Sequence, residues 1–363
     1  MSEFESRRKK MSAMLDHNGL SGLVVAGPSN LYYFTGVRGG WSDRLYALVI
    51  ERDGKCFYIC PAFEERRMRE SFGEKMEIVS WQEDQDPCAI VAQKLSKLDG
   101  EVGLEDTMPN WYVSWFSRAS RQGTRDAGDM IRLCRAVKSE SELDCLRRSN
   151  EMIGQAVKEA FAEARVGMTN LEMSKLVKEK CLALGVRGEG FVLFGEAASF
   201  PHGTKYPQEL KKGDLMLCDA GCVFQGYVSD ITRSVVFGKP NDEQRKVYDV
   251  LREAQEAARA AAKAGNPLEA PDLAAREVIG RHGYGENYET FTHRLGHGIG
   301  LDGHEWPYLC RGNKMPLVEN MTFSNEPGIY IPGRIGMRLE DCMRITKEGG
   351  EYLAPRQPSL EEA

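Results

Sequence analysis

The sequence lacks several features that would assign it to a specialised class of protein. No stretch of its 363 residues approaches about 18 consecutive apolar positions, which argues against a membrane-spanning helix. The first ten residues have no apolar core of the kind found in a signal peptide, so we expect the cytoplasm as location. With 48 Lys and Arg against 54 Asp and Glu, the net charge of −6 gives no reason to expect nucleic acid or an anionic membrane as partner.

Cysteine is too sparse for a disulfide scaffold. There are ten cysteines in 363 residues, and a cytoplasmic chain would keep them reduced. The pairs Cys56/Cys60 and Cys218/Cys222 do not have the spacing of two residues that is typical of zinc ligands, so a zinc site built from them is disfavoured.

The composition is that of an ordinary globular protein. Hydrophobic residues make up 42% and charged residues 28% of the chain. A length of 363 residues at about 150 residues per domain suggests about two domains. We place the boundary near residues 133–139, and predict an N-terminal domain over 1–135 and a C-terminal domain over 136–363.

Helix and strand signals alternate in the first domain. Ser2 and Glu5 form a capping box that opens a helix. Asp53-Gly54 separates two apolar runs and predicts a hairpin. Further strand patterns cover 23–27, 77–81 and 101–105, and helical patterns cover 62–71 and 88–98. Together these signals predict an α/β domain.

Helices and strands are segregated in the second domain. Ser139 with Glu142 and Thr169 with Glu172 are capping boxes, and Asn241 would cap a third helix. Strand patterns cover 214–221, 227–237, 321–331 and 337–346. This segregation predicts an α+β domain.

One pair of acidic residues interrupts the apolar strands of this domain. If the turn between the first two strands centres between residues 224 and 225, Asp219 stands opposite Asp230. Like charges on facing strand positions, with Cβ atoms about 5 Å apart, destabilise a sheet unless something neutralises them. A slipped register would change the pairing.

A second pair of acids lies downstream. A three-residue loop centred on Gly333 places Glu326 opposite Glu340. His297 lies in a glycine-rich segment, where the backbone can approach a ligand closely. Four carboxylates and one imidazole suit divalent cations, and two such ions would balance the four negative charges. The pattern therefore predicts a two-metal hydrolytic site, with solvent exposure of the acids as the alternative.

A dinucleotide-binding loop is rejected. The segment 298–303 matches the G-x-G-x-x-G pattern, but no apolar strand precedes it and Pro307 disfavours a helix after it.

A set of ordered motifs resembles the pita-bread metallopeptidases, the family of proline dipeptidase (prolidase) and aminopeptidase P, to which creatinase and methionine aminopeptidase are related. The motifs are Pro201-His202-Gly203, Asp219-Ala220-Gly221, Ser229-Asp230-Ile231-Thr232-Arg233, Gly296-His297-Gly298-Ile299-Gly300, His304-Glu305, Glu326-Pro327-Gly328 and Arg338-Leu339-Glu340-Asp341. Methionine aminopeptidases usually lack an N-terminal α/β domain, so the prolidase and aminopeptidase P branch is favoured. The resemblance implies the two-domain architecture of creatinase and prolidase, with a pita-bread catalytic domain.

The resemblance also implies a metal site. Asp219, Asp230, His297, Glu326 and Glu340 would bind two divalent metal ions, and Asp230 and Glu340 would bridge both. Manganese is the metal expected first, with cobalt, zinc or iron as alternatives, because carboxylate-rich sites accept several metals.

Catalytic roles follow from the same resemblance. A hydroxide bridging the two metals would attack the peptide carbonyl, and Glu326 would take its proton and pass it to the leaving nitrogen. His202 and His304 match catalytic histidines that contact the scissile carbonyl and the tetrahedral intermediate. His293 matches a substrate-facing histidine, with a buried structural role as the alternative. Arg338, two residues before Glu340, is a further substrate-site candidate. Our hypothesis is that it orients the metal carboxylates together with Tyr330, with a surface or packing role as the alternative for both.

The implied substrates are small peptides with proline at the second position. Some proline dipeptidases follow His-Glu-Trp-Pro with an arginine that grips the free carboxylate of the dipeptide. Here that position is Tyr308, a further substrate-binding candidate, and Arg38 or Arg44 could substitute for the missing arginine. We expect an Xaa-Pro dipeptidase that forms a homodimer. The alternatives are aminopeptidase P acting on longer peptides, and a metal-dependent hydrolase or lyase of a small non-peptide metabolite.

Overall fold

The computed structural model describes residues 2–363 and contains two compact units. The first unit ends at Arg135, and the second is Ala136–Ala363. Among residues 2–363, no helix combines the length and apolar character needed to cross a lipid bilayer.

The first unit is built on a mixed six-stranded sheet with the strand order β4-β3-β2-β1-β5-β6. Its elements are α1 (Glu3–His17), β1 (Leu20–Val25), α2 (Pro28–Thr35), β2 (Ala47–Glu51), β3 (Cys56–Pro61), α3 (Glu65–Phe72), β4 (Glu77–Trp81), α4 (Pro87–Leu95), β5 (Glu101–Leu104), α5 (Asn110–Ala119), β6 (Thr124–Asp126) and α6 (Gly128–Ala136). The strands pack on α4 and α5 through an apolar core that includes Val24, Phe57 and Phe116. The α/β prediction is confirmed.

Local signals predicted much of this unit. The capping box of Ser2 and Glu5 opens α1, with both reciprocal hydrogen bonds formed. Asp53-Gly54 lies in the turn between β2 and β3, which pair antiparallel. The helices α2, α5 and α6 and the short strand β6 were not predicted.

The second unit contains three sheets and four further helices. The helices are α7 (Glu140–Ala162), α8 (Asn170–Ala183), α9 (Asp242–Ala261) and α10 (Glu269–Arg281). One sheet has the order β10-β8-β7, with β9 paired to β8; its strands are β7 (Arg187–Phe194), β8 (Leu215–Phe224), β9 (Tyr227–Val228) and β10 (Ile231–Val236).

The other two sheets are formed by the C-terminal strands. The larger has the order β12-β11-β13-β16-β17, and the smaller pairs β14 with β15. These strands are β11 (Gly296–Gly298), β12 (Glu305–Leu309), β13 (Thr322–Asn325), β14 (Gly328–Ile331), β15 (Ile335–Arg338), β16 (Asp341–Ile345) and β17 (Gly350–Tyr352). The α+β prediction is confirmed. After segment 298–303 the chain continues as strand β12, not as the helix that a dinucleotide loop requires.

Two apolar cores hold the second unit together. Helices α7 and α8 pack on β7 and β8 through residues such as Ile153, Val177 and Cys218. The second core includes Leu251 and Ala258 of α9 together with Phe323 of β13. Buried positions of α9 recur every three or four residues, as expected for one apolar face of a helix.

Candidate metal centre

The five predicted metal ligands come from different elements of the second unit. Asp219 lies on β8, Asp230 between β9 and β10, and His297 on β11. Glu326 directly follows β13, and Glu340 lies between β15 and β16. The backbones of Thr232 and Glu340 exchange hydrogen bonds of 3.3 and 3.2 Å, which joins β10 to the segment that carries Glu340.

The ligand atoms of these residues converge in three overlapping groups, within each of which the atoms lie within 4.8 Å of one another. The groups are Asp219/Asp230/Glu340, His297/Glu326/Glu340 and Asp230/His297/His304. The Nε2 atom of His297 lies 3.6 Å from Asp230 Oδ2 and 3.4 Å from Glu326 Oε1. The structure thus places all five predicted ligands, and His304 with them, around one centre.

The predicted pairing of Asp219 with Asp230 is wrong by two residues. Asp219 lies opposite Thr232, because the turn centres on Gln225-Gly226. Both turn residues have positive φ (47° and 88°), as a two-residue hairpin turn requires, and this fixes the register. Asp230 interrupts the ladder between β9 and β10, so it reaches the centre diagonally from Asp219.

The second hairpin has the predicted register. Gly328 pairs with Arg338 and Ile331 with Ile335, which centres the loop on Gly333. Glu326 and Glu340 lie just beyond the last paired residues, and both approach His297.

The carboxylates of this centre repel one another when charged. Burial, and then the charges of Asp219 and Glu326, raise the pKa of Asp230. Burial, and then the charges of Asp230 and Glu326, raise the pKa of Glu340, while burial raises that of Glu326 to about 7. Each raised pKa means that the negative charge of the carboxylate is not fully stabilised by solvent or by a nearby positive charge. Oxygen-rich groups with uncompensated charge fit divalent cations.

His297 is held in the form that binds metal. Its Nδ1 lies 3.0 Å from the carbonyl oxygen of Gly298, and a carbonyl can only accept, so Nδ1 carries the proton. Burial, and then the neighbouring His304, lower the pKa of His297 to about 3. The imidazole is therefore neutral at physiological pH, with the Nε2 lone pair directed at the carboxylates.

Arg338 connects two of the acids. Its Nη2 donates to Asp219 Oδ2 at 2.7 Å, and its Nε donates to Thr232 Oγ1 at 2.8 Å. The Thr232 hydroxyl donates in turn to Glu340 Oε2 at 2.7 Å. Thr232 was not predicted as a site residue, although it lies two positions after Asp230 and so could have been recognised by strand alternation.

The network continues to His293. Arg338 Nη1 donates to the Tyr330 hydroxyl at 3.1 Å, and that hydroxyl lies 2.9 Å from His293 Nε2. His293 Nδ1 donates to the carbonyl of Arg294, so Nε2 accepts from Tyr330. Burial, and then the charge of Arg338, lower the pKa of His293 to about 4.

The other two predicted histidines differ in their contacts. The His304 ring stacks on that of His297 with centroids 3.7 Å apart. His202 is exposed in the segment after β7, and its charge lowers the pKa of His293, although less than burial does. Among residues 2–363, no hydrogen bond or ion pair involves the His202 side chain.

Glu305 was quoted only as part of a motif, yet it shapes the loop that carries His304. Its Oε1 accepts hydrogen bonds from the backbone N–H groups of Leu301 and Asp302 at 2.8 and 3.1 Å. Its Oε2 lies 3.2 Å from Nζ of Lys138, and both side chains are buried. A Cβ at position 300 would lie within 3.0 Å of this carboxylate, so the loop requires Gly300.

A cavity of about 900 Å³ opens beside the centre. It is lined by the exposed side of β7 and by β8, and includes Phe191, Asp219 and Asp230. Tyr308 lies opposite His297 in the pairing of β12 with β11. The arrangement can hold metal ions at one end of a space large enough for a small peptide.

Comparison with known proteins agrees with this geometry. Residues 144–347 match the model of metallopeptidase family M24, and residues 7–137 match the creatinase/prolidase N-terminal domain. An uncharacterized peptidase of Staphylococcus aureus (strain bovine RF122 / ET3-1) is 35% identical over 333 residues, which are 91% of this chain and 93% of the relative.

Solved structures of the same architecture are also similar. Dipeptidase PepE from Mycobacterium ulcerans superposes with a TM-score of 0.91 at 32% identity, covering 99% of this chain and 97% of that one. The Xaa-Pro dipeptidase from Bacillus anthracis gives a TM-score of 0.88 at 26% identity, with 99% of both chains covered. Prolidases and an X-Pro aminopeptidase are among the other similar structures. With its N-terminal domain of the creatinase/prolidase type and its convergent carboxylates, this chain belongs to metallopeptidase family M24.

Proposed function

We propose that this metallopeptidase hydrolyses the Xaa-Pro bond of dipeptides or short peptides with two divalent metal ions. The observation that carries the proposal is the convergence of four carboxylates and one neutral imidazole within a single centre. The similarity to solved dipeptidases and prolidases supports the same substrate class.

Two metal ions would explain why the three ligand groups have residues in common. One would be held by Asp219, Asp230 and Glu340, and the other by His297, Glu326 and Glu340, with Asp230 close enough to His297 to be shared. When bound, such ions lower the pKa of a water molecule and polarise the peptide carbonyl. Manganese is our first expectation for the metal, because most of the donors are carboxylate oxygens.

The protein's own groups move the proton and stabilise charge. Glu326, whose Oε1 lies 3.4 Å from His297 Nε2 at the centre, would take a proton at its carboxylate and deliver it to the leaving nitrogen. His304, next to His297, and His202 would donate hydrogen bonds to the oxygen on which negative charge develops.

Arg338 would act mainly on the metal ligands. Asp219, Thr232 and Tyr330 engage its guanidinium, and only 4% of the residue is exposed. These contacts support a role in holding Asp219 and Glu340 in place. Through Tyr330 the same arginine would orient His293 toward the substrate.

The proposal extends to assembly and location. We expect a homodimer in the cytoplasm, as the family resemblance implies. Within residues 2–363 the ten cysteines form no disulfide, which is consistent with a reducing compartment.

A second candidate function is Xaa-Pro aminopeptidase activity on longer peptides. It is favoured by the cavity of about 900 Å³ and by the absence of an arginine at position 308.

Metal should restore activity to chelator-treated protein. We expect added Mn²⁺, Co²⁺ or Zn²⁺ to increase the release of leucine from Leu-Pro by about 100-fold or more, because the uncharged water alone is a poor nucleophile. The assay compares Leu-Pro with Leu-Pro-Ala, and uses Leu-Ala as the control for proline specificity.

The outcomes separate the candidate functions. Faster cleavage of Leu-Pro supports the dipeptidase, whereas cleavage of Leu-Pro-Ala alone supports the aminopeptidase. If no metal stimulates release from either peptide, the peptidase proposal fails.

Metal binding should also release protons. Burial and neighbouring charge raise the pKa values of Asp230 and Glu340, and burial raises that of Glu326 to about 7, so part of this set is protonated at pH 7 and must ionise to bind a cation. Affinity should therefore fall as the pH drops below 7, by about tenfold per pH unit for each proton released. His297 does not contribute, because its pKa is already about 3.

Titration calorimetry measures this release directly. At pH 7 the heat of Mn²⁺ binding should differ between two buffers in proportion to their ionisation enthalpies. Equal heats in both buffers would show that the carboxylates are already ionised and contradict the prediction.

A further inference from the structure

Arg294 and Tyr308 form a contact beside the candidate metal centre. Tyr308 of β12 lies opposite His297 of β11, and directly paired residues project from the same face of a sheet. The guanidinium carbon of Arg294 lies 4.1 Å from the centroid of the Tyr308 ring. Since His297 belongs to two of the three ligand groups, the guanidinium lies only one side chain away from the centre.

Arg294 differs from other arginines near this centre in having no carboxylate partner. Arg338 pairs with Asp219, and Arg276 pairs with Asp272. Within residues 2–363, no carboxylate oxygen lies within 4.0 Å of the Arg294 guanidinium, although the side chain is half-buried. An aromatic ring supports the face of a guanidinium without using its N–H groups, which remain available to a ligand.

The charge of Arg294 reaches the centre. Burial is the largest influence on the pKa values of His297, His304 and Glu326, and the charge of Arg294 lowers all three. These contributions agree with the position that the contact with Tyr308 gives the guanidinium, beside His297.

A dipeptide presents a negative charge at a matching position. In an Xaa-Pro dipeptide only the proline nitrogen and Cα separate the scissile carbonyl carbon from the carboxylate carbon, so the two lie within about 4 Å. A longer peptide has a neutral amide there. A planar guanidinium can bind a carboxylate through two parallel hydrogen bonds, which gives both affinity and direction.

The two arginines suggested by sequence for this role have other contacts. Arg44 pairs with Glu83, and Arg38 stacks on Tyr32.

We propose that Arg294, supported by the ring of Tyr308, binds the free carboxylate of a dipeptide substrate and makes the enzyme prefer dipeptides to longer peptides. This inference rests on the proposed peptidase function and names the group that sets its substrate length. The ring of Tyr308 thus supports the guanidinium of Arg294, which comes from the segment just before β11.

The test compares an acid with its amide. With Mn²⁺ bound, the wild-type enzyme should cleave Leu-Pro with a kcat/KM at least about tenfold above that for Leu-Pro amide, because a hydrogen-bonded charge pair is lost with the amide. Arg294→Met removes the charge at similar length. It should lower kcat/KM for Leu-Pro about 30-fold, mainly through KM, and change that for the amide less than about threefold.

Further variants separate charge from packing. Tyr308→Phe keeps the ring, so its acid-to-amide ratio of kcat/KM should stay close to that of wild type. Tyr308→Leu removes the ring and should lower kcat/KM for Leu-Pro about fivefold without lowering that for the amide. Arg148→Met is the matched control, since Arg148 is exposed on α7 and is not among the residues that line the cavity. Product binding gives an independent readout: Arg294→Met should weaken inhibition by L-proline but not by L-prolinamide.

Each outcome decides between the two proposals. An acid-to-amide ratio that is unchanged in Arg294→Met, an equal loss on both substrates, or a ratio that shifts in Arg148→Met instead overturns the carboxylate role while leaving the peptidase intact. A wild-type enzyme that cleaves neither substrate overturns both proposals.

Discussion

Replacing Asp230 by asparagine should lower kcat/KM on Leu-Pro by about 1,000-fold or more, equivalent to about 4 kcal/mol of transition-state stabilisation. Asp230 belongs to two of the three ligand groups, so its loss weakens the binding of both proposed ions. An amide supplies one neutral oxygen where a carboxylate supplies two charged ones. The measurement is activity together with metal content, which should fall below two ions per chain.

The same variant should not lose stability when metal is absent. Burial and the charges of Asp219 and Glu326 raise the pKa of Asp230, so the charged carboxylate opposes folding in the metal-free state. The metal-free variant should therefore melt at the same temperature as metal-free wild type or higher, and excess Mn²⁺ should raise the melting temperature of wild type more than that of the variant.

Asp84→Asn is the matched control, because Asp84 is an exposed acid of the first unit. It should leave activity, metal content and melting temperature within error of wild type. Full activity in Asp230→Asn with two bound metals would remove Asp230 from the proposed ligand set.

Replacing Arg276 by methionine should have the largest effect on stability, about 3–5 kcal/mol, because it leaves a buried carboxylate without its partner. Arg276 and Asp272 on α10 are 8% and 0% exposed, and they form two hydrogen bonds of 2.9 and 3.1 Å. Arg276 also donates to the carbonyl oxygens of Phe291 and His293, and Asp272 accepts from the backbone of Leu295.

Urea denaturation curves of the variant and of wild type measure the loss in free energy of unfolding. Arg281→Met serves as control on the same helix, because its ion pair with Glu253 is exposed and should contribute less than about 1 kcal/mol. The double variant Asp272→Leu with Arg276→Met should recover part of the loss, since it removes the unpaired charge. A loss below about 1 kcal/mol in Arg276→Met would show that water or another group replaces the guanidinium.

Arg276→Met should also impair catalysis in the protein that remains folded. Arg276 donates a hydrogen bond to the carbonyl oxygen of His293, and its partner Asp272 accepts one from the backbone N–H of Leu295. The carbonyl oxygen of Leu295 in turn accepts from the backbone N–H of Glu326 at 2.9 Å. A helix that was not recognised in the sequence thus positions two residues of the proposed active site.

Short-range signals predicted helix starts well and weakly patterned elements poorly. The capping boxes at Ser139 and Thr169 open α7 and α8 as expected. Strand β7 escaped prediction because Gly188 and Gly190 are typical of loops. In the structure the lack of side chains there leaves room for the thiols of neighbouring cysteines, since a Cβ at either glycine would lie within 3.0 Å of a sulfur atom.

Other elements exist only because of their neighbours. Strand β11 is three residues long and contains two glycines, so its own sequence gives no strand signal. It is ordered by pairing with β12 on one side and β13 on the other. Helix α10 has low amphipathic contrast, since buried Asp272 and Arg276 lie on its packed face.

The sequence by itself determined the two-domain class, the helix caps, the hairpin centred on Gly333 and the acids that the structure gathers at one centre, because these depend on residue type and on backbone hydrogen bonds between near neighbours. Tertiary structure decided which of these acids meet. Thr232 and Glu340 are joined across 108 positions of the chain, and the turn at Gln225-Gly226 shifted Asp230 from a facing to a diagonal position. Tertiary structure also placed the guanidinium of Arg294 against the ring of Tyr308, a contact that no motif indicates. Such contacts depend on how sheets and loops pack, and sequence spacing carries no information about distances between residues that only folding brings together.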